Sequence, residues 1–367
     1  MVALLVMARA VVAHLRKDIE MDMKKSVVER YTEGAEAVQP SLCCPVDYDA
    51  SLLAMLPKEV IEKDYGCGDP SRYVQDGDVV LDLGSGSGKI CYMAAQLVGD
   101  NGQVIGVDMN DEMLTLARKY QPEMAEKLGS DRVRFVKGQI QDLSHSLENP
   151  DGSEPMIADD SVDLVLSNCV LNLVNDSDKK QLVEEIFRVV KPGGRIAMSD
   201  IVADEAIPEH LKADPELWSG CISGSFLEDE FLESFKQAGF KAVKCDKWDA
   251  EPWQVVEGIE FRSVTITAIK DQDIACTDNG HAVIYKGPYA QTIDDEGHVF
   301  YRGKRMAVCE RTYDFLLSGA YGDDFIGITP TQQLEPKKWC APLGTLRPAS
   351  ETKGSAHNTV NAGGSCC

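Results

Sequence analysis

The stretch Asp78-Val79-Val80-Leu81-Asp82-Leu83-Gly84-Ser85-Gly86-Ser87-Gly88 decides the fold. Val79 to Leu83 is a short apolar run of strand length, and the alternating glycines that follow make a turn. Ile90 to Val98 then has the apolar content of a helix. Strand, glycine turn and helix in that order predict a parallel α/β unit. The turn brings backbone close to a ligand, and the helix N-terminus offers free N–H groups.

The same alternation continues outward from this stretch. Gln103 to Asp108 reads as a second strand ending in an acid, and Glu112 to Lys127 as a helix. Val133 to Lys137 and Val162 to Ser167 are a third and a fourth strand, separated from a fifth, Arg195 to Asp200, by a helix over Lys179 to Val190 and the turn Lys191-Pro192-Gly193-Gly194. A helix over Glu228 to Ala238 precedes two closing strands, Lys241 to Cys245 and Phe261 to Lys270. The expected fold is α/β, a Rossmann-like seven-stranded sheet covered on both faces, with an inserted substrate-binding segment and a small C-terminal domain.

Five segments are expected. They are an N-terminal helical segment over 1–74, a cofactor-binding core over 75–200, an insertion with closing strands over 201–275, a small domain over 276–341 and a disordered tail over 342–367 rich in Gly, Ser, Thr and Ala. Met1 to His14 suits either a signal-peptide core or the start of an amphipathic helix; the charges from Lys17 to Asp22 favour the helix or a disordered extension. No other segment could span a bilayer, so a cytoplasmic protein is expected.

Charge and thiols limit the function. Sixty acidic residues against 37 basic ones give a formal charge of −23, which repels nucleic acid and anionic membranes and favours a small-molecule substrate. Twelve cysteines are too many for inert packing and too dispersed for a small disulfide scaffold. Four contexts stand out: Cys43-Cys44 before Pro45, Cys67 between Gly66 and Gly68, Cys169 after Asn168, and Cys221 after Trp218-Ser219-Gly220. None has zinc-ribbon spacing. Cys169 follows the fourth strand, where parallel sheets place their chemistry, and Cys221 lies in the insertion that can fold over the same crevice, so Cys67, Cys169 and Cys221 are expected to converge. Cys91, Cys245, Cys276 and Cys309 are expected to be buried small hydrophobes. The six histidines show no ligand spacing.

Asp82 before the glycine turn, Asp108 at the end of the second strand and Gly138-Gln139-Ile140 after the third form a pattern that resembles the class I methyltransferases. The resemblance implies S-adenosylmethionine as cofactor, with Gly84 and Gly86 against its methionine portion, Asp108 on the ribose hydroxyls, Met109 on the adenine face and Gln139 and Ile140 lining the adenine pocket. Asp82 is either a cofactor contact or a structural acid. Tyr65 and Trp218 either face the sulfonium or substrate or pack in the core, and Asn168 and Asn172 orient the loop after the fourth strand, with Asn168 also a cofactor contact.

Asp64-Tyr65-Gly66-Cys67-Gly68, the glycine turn, Ser167-Asn168-Cys169-Val170-Leu171-Asn172-Leu173-Val174 and Trp218-Ser219-Gly220-Cys221-Ile222-Ser223-Gly224 together are similar to the arsenite methyltransferases, with Asp64 standing where those proteins favour tyrosine. The likeness runs from about Tyr31 to about Pro330, and the terminal Gly363-Gly364-Ser365-Cys366-Cys367 is similar to tails of animal members. It implies trivalent arsenic on Cys169 and Cys221 with Cys67 as a further ligand. Cys67 would exchange disulfides with Cys43 or Cys44. Arsenite and methylated trivalent arsenicals would be substrates, yielding mono-, di- and further methylated products for detoxification, with glutathione or thioredoxin as reductant and a monomer as the working form. A methyltransferase for an organic acceptor such as a sterol or quinone, and a non-enzymatic thiol-rich arsenic-binding protein, are the rival readings.

Overall fold

The computed structural model describes residues 23–39, 42, 46–272, 274–332, 334–339 and 341–353. Cys43, Cys44, Cys340, Cys366 and Cys367, and the expected leader or helix over residues 1–22, lie outside the described residues. The chain divides into two compact units, Met1–Lys270 and Asp271–Cys367.

The first unit opens with helix α1 over residues 23–36 and two short helices, α2 (Ala50–Leu53) and α3 (Lys58–Glu62). The sheet begins with β1 (Val79–Leu83), joined through α4 (Lys89–Leu97) to β2 (Gln103–Asp108), and through α5 (Asp111–Leu128) to β3 (Val133–Gln139). After β4 (Asp142–Ser146) come β5 (Val162–Asn168), α6 (Lys179–Val189) and the long β6 (Val190–Ala203). The insertion folds as α7 (Glu209–Lys212) and α8 (Pro215–Ser219), followed by β7 (Phe226–Leu227), α9 (Glu228–Ala238), β8 (Lys241–Trp248), β9 (Gln254–Val256) and β10 (Ile259–Ile269).

These strands form a ten-stranded sheet in the order β4-β3-β2-β1-β5-β6-β10-β8, with β7 on β6 and β9 on β10. The seven expected strands are its centre, and short β4, β7 and β9 extend it. They were missed because two to five residues carry little periodicity. β1 pairs in parallel with both β2 and β5 and is buried on both faces. Side chains alternate across a strand, so Leu81 and Leu83 enter one core cluster and Val80 the other. A strand covered on both sides reads as an unbroken apolar run, which is why its bounds were legible. The Lys191-Pro192-Gly193-Gly194 turn lies inside β6 as an irregularity, because pairing skips from Val162↔Val190 to Leu164↔Arg195.

The second unit contains a three-stranded sheet, β15-β12-β16, and two strand pairs, β11-β17 and β13-β14. Its elements are β11 (Thr277–Asp278), β12 (Ala282–Tyr285), β13 (Gln291–Ile293), β14 (Val299–Tyr301), β15 (Arg305–Ala307), α10 (Glu310–Leu317), β16 (Phe325–Ile328), β17 (Lys337–Lys338) and α11 (Ala349–Lys353). Disorder was expected from residue 342, yet α11 packs here. Thr352 is buried and its hydroxyl accepts a hydrogen bond from Arg305 (2.9 Å). With the Thr352 carbonyl accepting from Thr331 N–H (3.0 Å), two polar anchors hold a segment whose composition alone reads as tail.

Candidate functional site

The turn after β1 is built by glycines in the left-handed region, Gly84 (φ +69°), Gly86 (φ +49°) and Gly88 (φ +86°). A Cβ at Gly84 would stand 2.4 Å from Val170 Cγ2, so only glycine lets the turn approach the loop after β5. Gly86 faces open space and its N–H donates to Asp108 (2.8 Å), which also accepts from the Asn110 N–H (2.8 Å). The glycine turn and the acid ending β2 are thereby one structure.

A cavity opens beside this turn. Of the expected cofactor residues, Tyr65, Asp82, Gly84, Gly86, Asp108, Met109, Ile140 and Asn168 line it. Gln139 does not; its side chain accepts from Gln141 (3.1 Å), and Gly138 and Gln141 line the wall instead. Lys24, Val27, Val28 and Tyr31 of α1 supply another wall that sequence motifs did not indicate. Their i, i+3, i+4, i+7 spacing was the available signal.

The cavity is electrostatically suited to a cation. Burial pushes the Asp82 carboxyl up to about 8, a Cys91 thiol hydrogen bond (3.2 Å) pulls it back in part, and the charges of Asp64 and Asp108 raise it further. Burial also raises Asp108, against the N–H groups it accepts from. Lys89 pairs with Asp64 (2.5 Å) under the Tyr48 ring (3.7 Å), and Lys63 pairs with Glu59 (2.9 Å). Open glycine backbone beside two acids fits the sulfonium and ammonium of S-adenosylmethionine, whereas a phosphate would meet repulsion. Cys91, expected to be inert, thus has a polar partner at the site.

Cys67, Cys169 and Cys221 lie together in one buried cluster beside this cavity, and Cys169 lines it. Cys67 and Cys169 form a disulfide. The expected partners of Cys67, Cys43 or Cys44, lie outside the described residues; Cys67 and Cys169 converge as expected, but as a disulfide pair rather than as two free ligands. With those sulfurs joined, the three thiols do not form a three-ligand group in this state. Among the described residues no group of three or more His, Cys, Asp or Glu is arranged to hold a metal ion.

Both Cys169 (φ +60°) and Cys221 (φ +61°) occupy the left-handed backbone region, which costs a non-glycine residue about 1–3 kcal/mol and persists only where neighbours enforce it. The neighbours are identifiable. Cys169 N–H donates to Ser199 O (2.8 Å), and Cys221 N–H donates to Trp218 O (3.0 Å) at the end of α8. Asn172 donates to Ile201 O (2.7 Å), Cys221 O (3.4 Å) and Ser225 Oγ (3.3 Å), tying the insertion to β6. Buried Asp200 accepts from Leu171 N–H (2.9 Å) and Ile201 N–H (2.8 Å), and burial pushes its carboxyl up to about 7. The Cys221 thiol then donates to Cys169 O (3.2 Å) and meets the Tyr31 hydroxyl at 3.8 Å.

Asn168 links the remaining cysteine. Its Oδ1 accepts from Cys67 N–H (2.9 Å) and Gly68 N–H (3.0 Å), while Nδ2 donates to Gly68 O (2.9 Å) and Tyr48 OH (3.3 Å). A Cβ at Gly66 would stand 2.1 Å from Asn168 Nδ2, which explains a glycine beside Cys67. Tyr65 hydrogen-bonds Gly34 O (3.0 Å) and Gln39 N–H (3.1 Å), and Trp218 packs with Met23 and Val27 rather than facing the cavity. Of the cysteines expected to be buried, Cys245 is exposed and Cys276 half-buried. Among the described residues no helix is long and apolar enough to cross a membrane.

Comparison with known proteins gives this geometry its context. Residues 74–239 match the family model of a methyltransferase domain, and residues 272–357 match a domain of unknown function (DUF8838). The chain is 33% identical to an arsenite methyltransferase of Aquipseudomonas alcaligenes, over 83% of this chain and 90% of that protein. It is 30% identical to the human arsenite methyltransferase, over 84% of this chain and 85% of that one. Among solved structures it resembles an arsenic(III) S-adenosylmethionine methyltransferase from Chlamydomonas reinhardtii, with a TM-score of 0.55 and 29% identity over 83% of this chain and all of that one. With likeness along nearly the whole length, and with a methyltransferase cavity beside a cluster of three cysteines, the chain belongs to the arsenite methyltransferase family.

Proposed function

We propose that this protein transfers methyl groups from S-adenosylmethionine to trivalent arsenic held by the thiolates of Cys169 and Cys221. The observation that carries the reading is the placement of these two cysteines. Both sit on left-handed backbone, and the Cys221 sulfur lies 3.2 Å from the Cys169 carbonyl beside the glycine-lined cavity. Thiolates outcompete oxygen donors for a soft acceptor. Sulfur-bound trivalent arsenic keeps a lone pair, so no general base is required.

When bound, S-adenosylmethionine supplies an electrophilic methyl carbon on a positively charged sulfur. The protein's part is positioning. Gly84 and Gly86 leave room for the cofactor's methionine portion, Asp108 accepts from its ribose hydroxyls, and Met109 and Ile140 wall its adenine side. Asn168 and Asn172 fix the cysteine loops. Cys67 serves as a third ligand for arsenite and as an electron donor.

Methylation takes arsenic from the trivalent to the pentavalent state. Two electrons return it when two thiols become a disulfide and release two protons. Cys67 with Cys169 is one thiol pair at the site, and Cys67 with Cys43 or Cys44 is the other candidate. Glutathione or thioredoxin resets the pair by thiol–disulfide exchange. In the oxidised pairing Cys169 is not a ligand, so reduction precedes arsenic binding. The protein acts as a cytoplasmic monomer.

The test is speciation of products after incubation with arsenite, labelled cofactor and a thiol reductant. Cys169→Ser and Cys221→Ser should each abolish arsenite methylation and leave cofactor binding intact. Full activity in both variants refutes the assignment.

A further inference from the structure

The C-terminal unit, whose matching family model carries no function, holds a second pair of thiols. Cys276 directly precedes β11, and its carbonyl accepts the Trp339 N–H (3.2 Å) beside the Thr277↔Lys338 pairing with β17. Cys309 is the N-cap of α10, where its sulfur accepts the Thr312 N–H (3.5 Å) and lies 3.3 Å from the Thr312 hydroxyl. Helix α10 packs against β11, so the cap of the one and the residue before the other come together, and the Cys276 and Cys309 thiols interact.

The pair has the features of a receptor. Cys309 is buried, whereas Cys276 is half-buried and gives access from solvent. Arg311 stands in the first turn of α10 and favours the Cys276 thiolate, although burial has the larger, opposite effect. Glu296 (2.8 Å) and Asp271 (3.6 Å) offset that arginine, so the pair is best suited to an uncharged ligand. Among the described residues no third Cys, His, Asp or Glu completes a metal site. Two adjacent sulfurs, with no third such donor among the described residues, suit a thiophilic centre that has two exchangeable positions.

We propose that Cys276 and Cys309 form a dithiol site for monosubstituted trivalent arsenicals of the form RAs(OH)₂. Binding forms two As–S bonds and breaks two As–O bonds, and the thiol protons leave with the hydroxyls as two waters. Arsenic stays trivalent, so no oxidant or reductant is needed. The choice of arsenic over other soft centres rests on the function proposed above, since a first methylation followed by two-electron reduction by a thiol pair yields a ligand of this class.

The test uses the pre-reduced full chain and phenylarsine oxide, with alkylation of each cysteine followed by peptide mass spectrometry. At about ten times the apparent dissociation constant the reactive fraction of Cys276 should fall about tenfold. The protection should vanish in Cys309→Ser, which keeps a hydroxyl to cap Thr312. In Cys276→Ser the probe retained after gel filtration should drop by one equivalent. An unprotected Cys276 in the native chain, protection that survives Cys309→Ser, or unchanged retention in Cys276→Ser overturns the site. Methylation measured on the same sample fails or succeeds separately, so loss of the proposed function and loss of this site are distinguishable.

Discussion

Asp82 should make cofactor binding release a proton. Its carboxyl is raised to about 8 in the ligand-free cavity, first by burial and then by the charges of Asp64 and Asp108. At pH 7 it is therefore about nine-tenths protonated, and ionising it costs about 1.4 kcal/mol. A bound cation favours the carboxylate, so affinity for S-adenosylmethionine rises with pH until Asp82 is already ionised in the empty site. If the bound carboxyl titrates well below pH 6, affinity increases about fiftyfold between pH 6 and pH 8 and flattens above that. Calorimetry at pH 7 in buffers of different ionisation enthalpy should count about 0.9 protons released per cofactor. Asp82→Asn should remove most of both effects. The sign also governs stability: a folded-state value above the usual carboxylate range of about 4 means that stability is lost as pH rises from about 4 to about 8. Ligand-free Asp82→Asn should consequently gain melting temperature over the native chain at pH 9 and not at pH 4. Proton release below about 0.2, or a pH slope preserved in Asp82→Asn, refutes the reasoning.

Asn168→Ala strips partners from two N–H groups and a carbonyl of Cys67 and Gly68, which should lower stability by about 2–4 kcal/mol in urea unfolding under reducing conditions. A loss under about 0.5 kcal/mol would mean that water replaces the amide. Tyr31→Phe removes the hydroxyl beside Cys221 and should raise the KM for arsenite about two- to fivefold with cofactor affinity unchanged, the scale of one modest hydrogen bond. Equal effects on both ligands would show a general disturbance of α1. Gly84→Ala places a Cβ 2.4 Å from Val170 Cγ2 at φ +69° and should weaken cofactor binding about tenfold or more, read by the same calorimetry.

β1, β2 and α9 begin and end at the residues their apolar runs and glycine stops indicate. β6 does not, because the Lys191-Pro192-Gly193-Gly194 stretch that reads as a turn lies inside the strand. The glycine turn and Asp108 were legible because close approach and ligand contact leave few residue choices. The wall formed by Lys24, Val27, Val28 and Tyr31 was not, since a helix face that lines a cavity has the same spacing as one that lines a core. The convergence of Cys67 with Cys169 was legible from loop position, but their disulfide was not, because proximity of two thiols does not say which pair is oxidised; Asn168 holds the two loops together across a hundred residues.

The division of labour at the thiol cluster follows from what sulfur cannot do. A neutral thiol is a weak hydrogen-bond donor and acceptor, so cysteines cannot anchor the loops that present them. The loops are held instead by Asn168, Asn172 and Asp200, which together accept or donate to the backbone of residues 67, 68, 171, 201 and 221. These bonds offset the left-handed backbone at Cys169 and Cys221, and that conformation sets the direction of each Cα–Cβ bond. Ligand identity and ligand direction therefore reside in different residues. Replacing a cysteine by serine removes the soft donor and preserves the loop, whereas replacing Asn172 by alanine keeps both sulfurs and frees their loop to relax. The first change should abolish arsenic binding. The second should leave binding measurable while methyl transfer falls, because transfer depends on alignment and binding mainly on the sulfur.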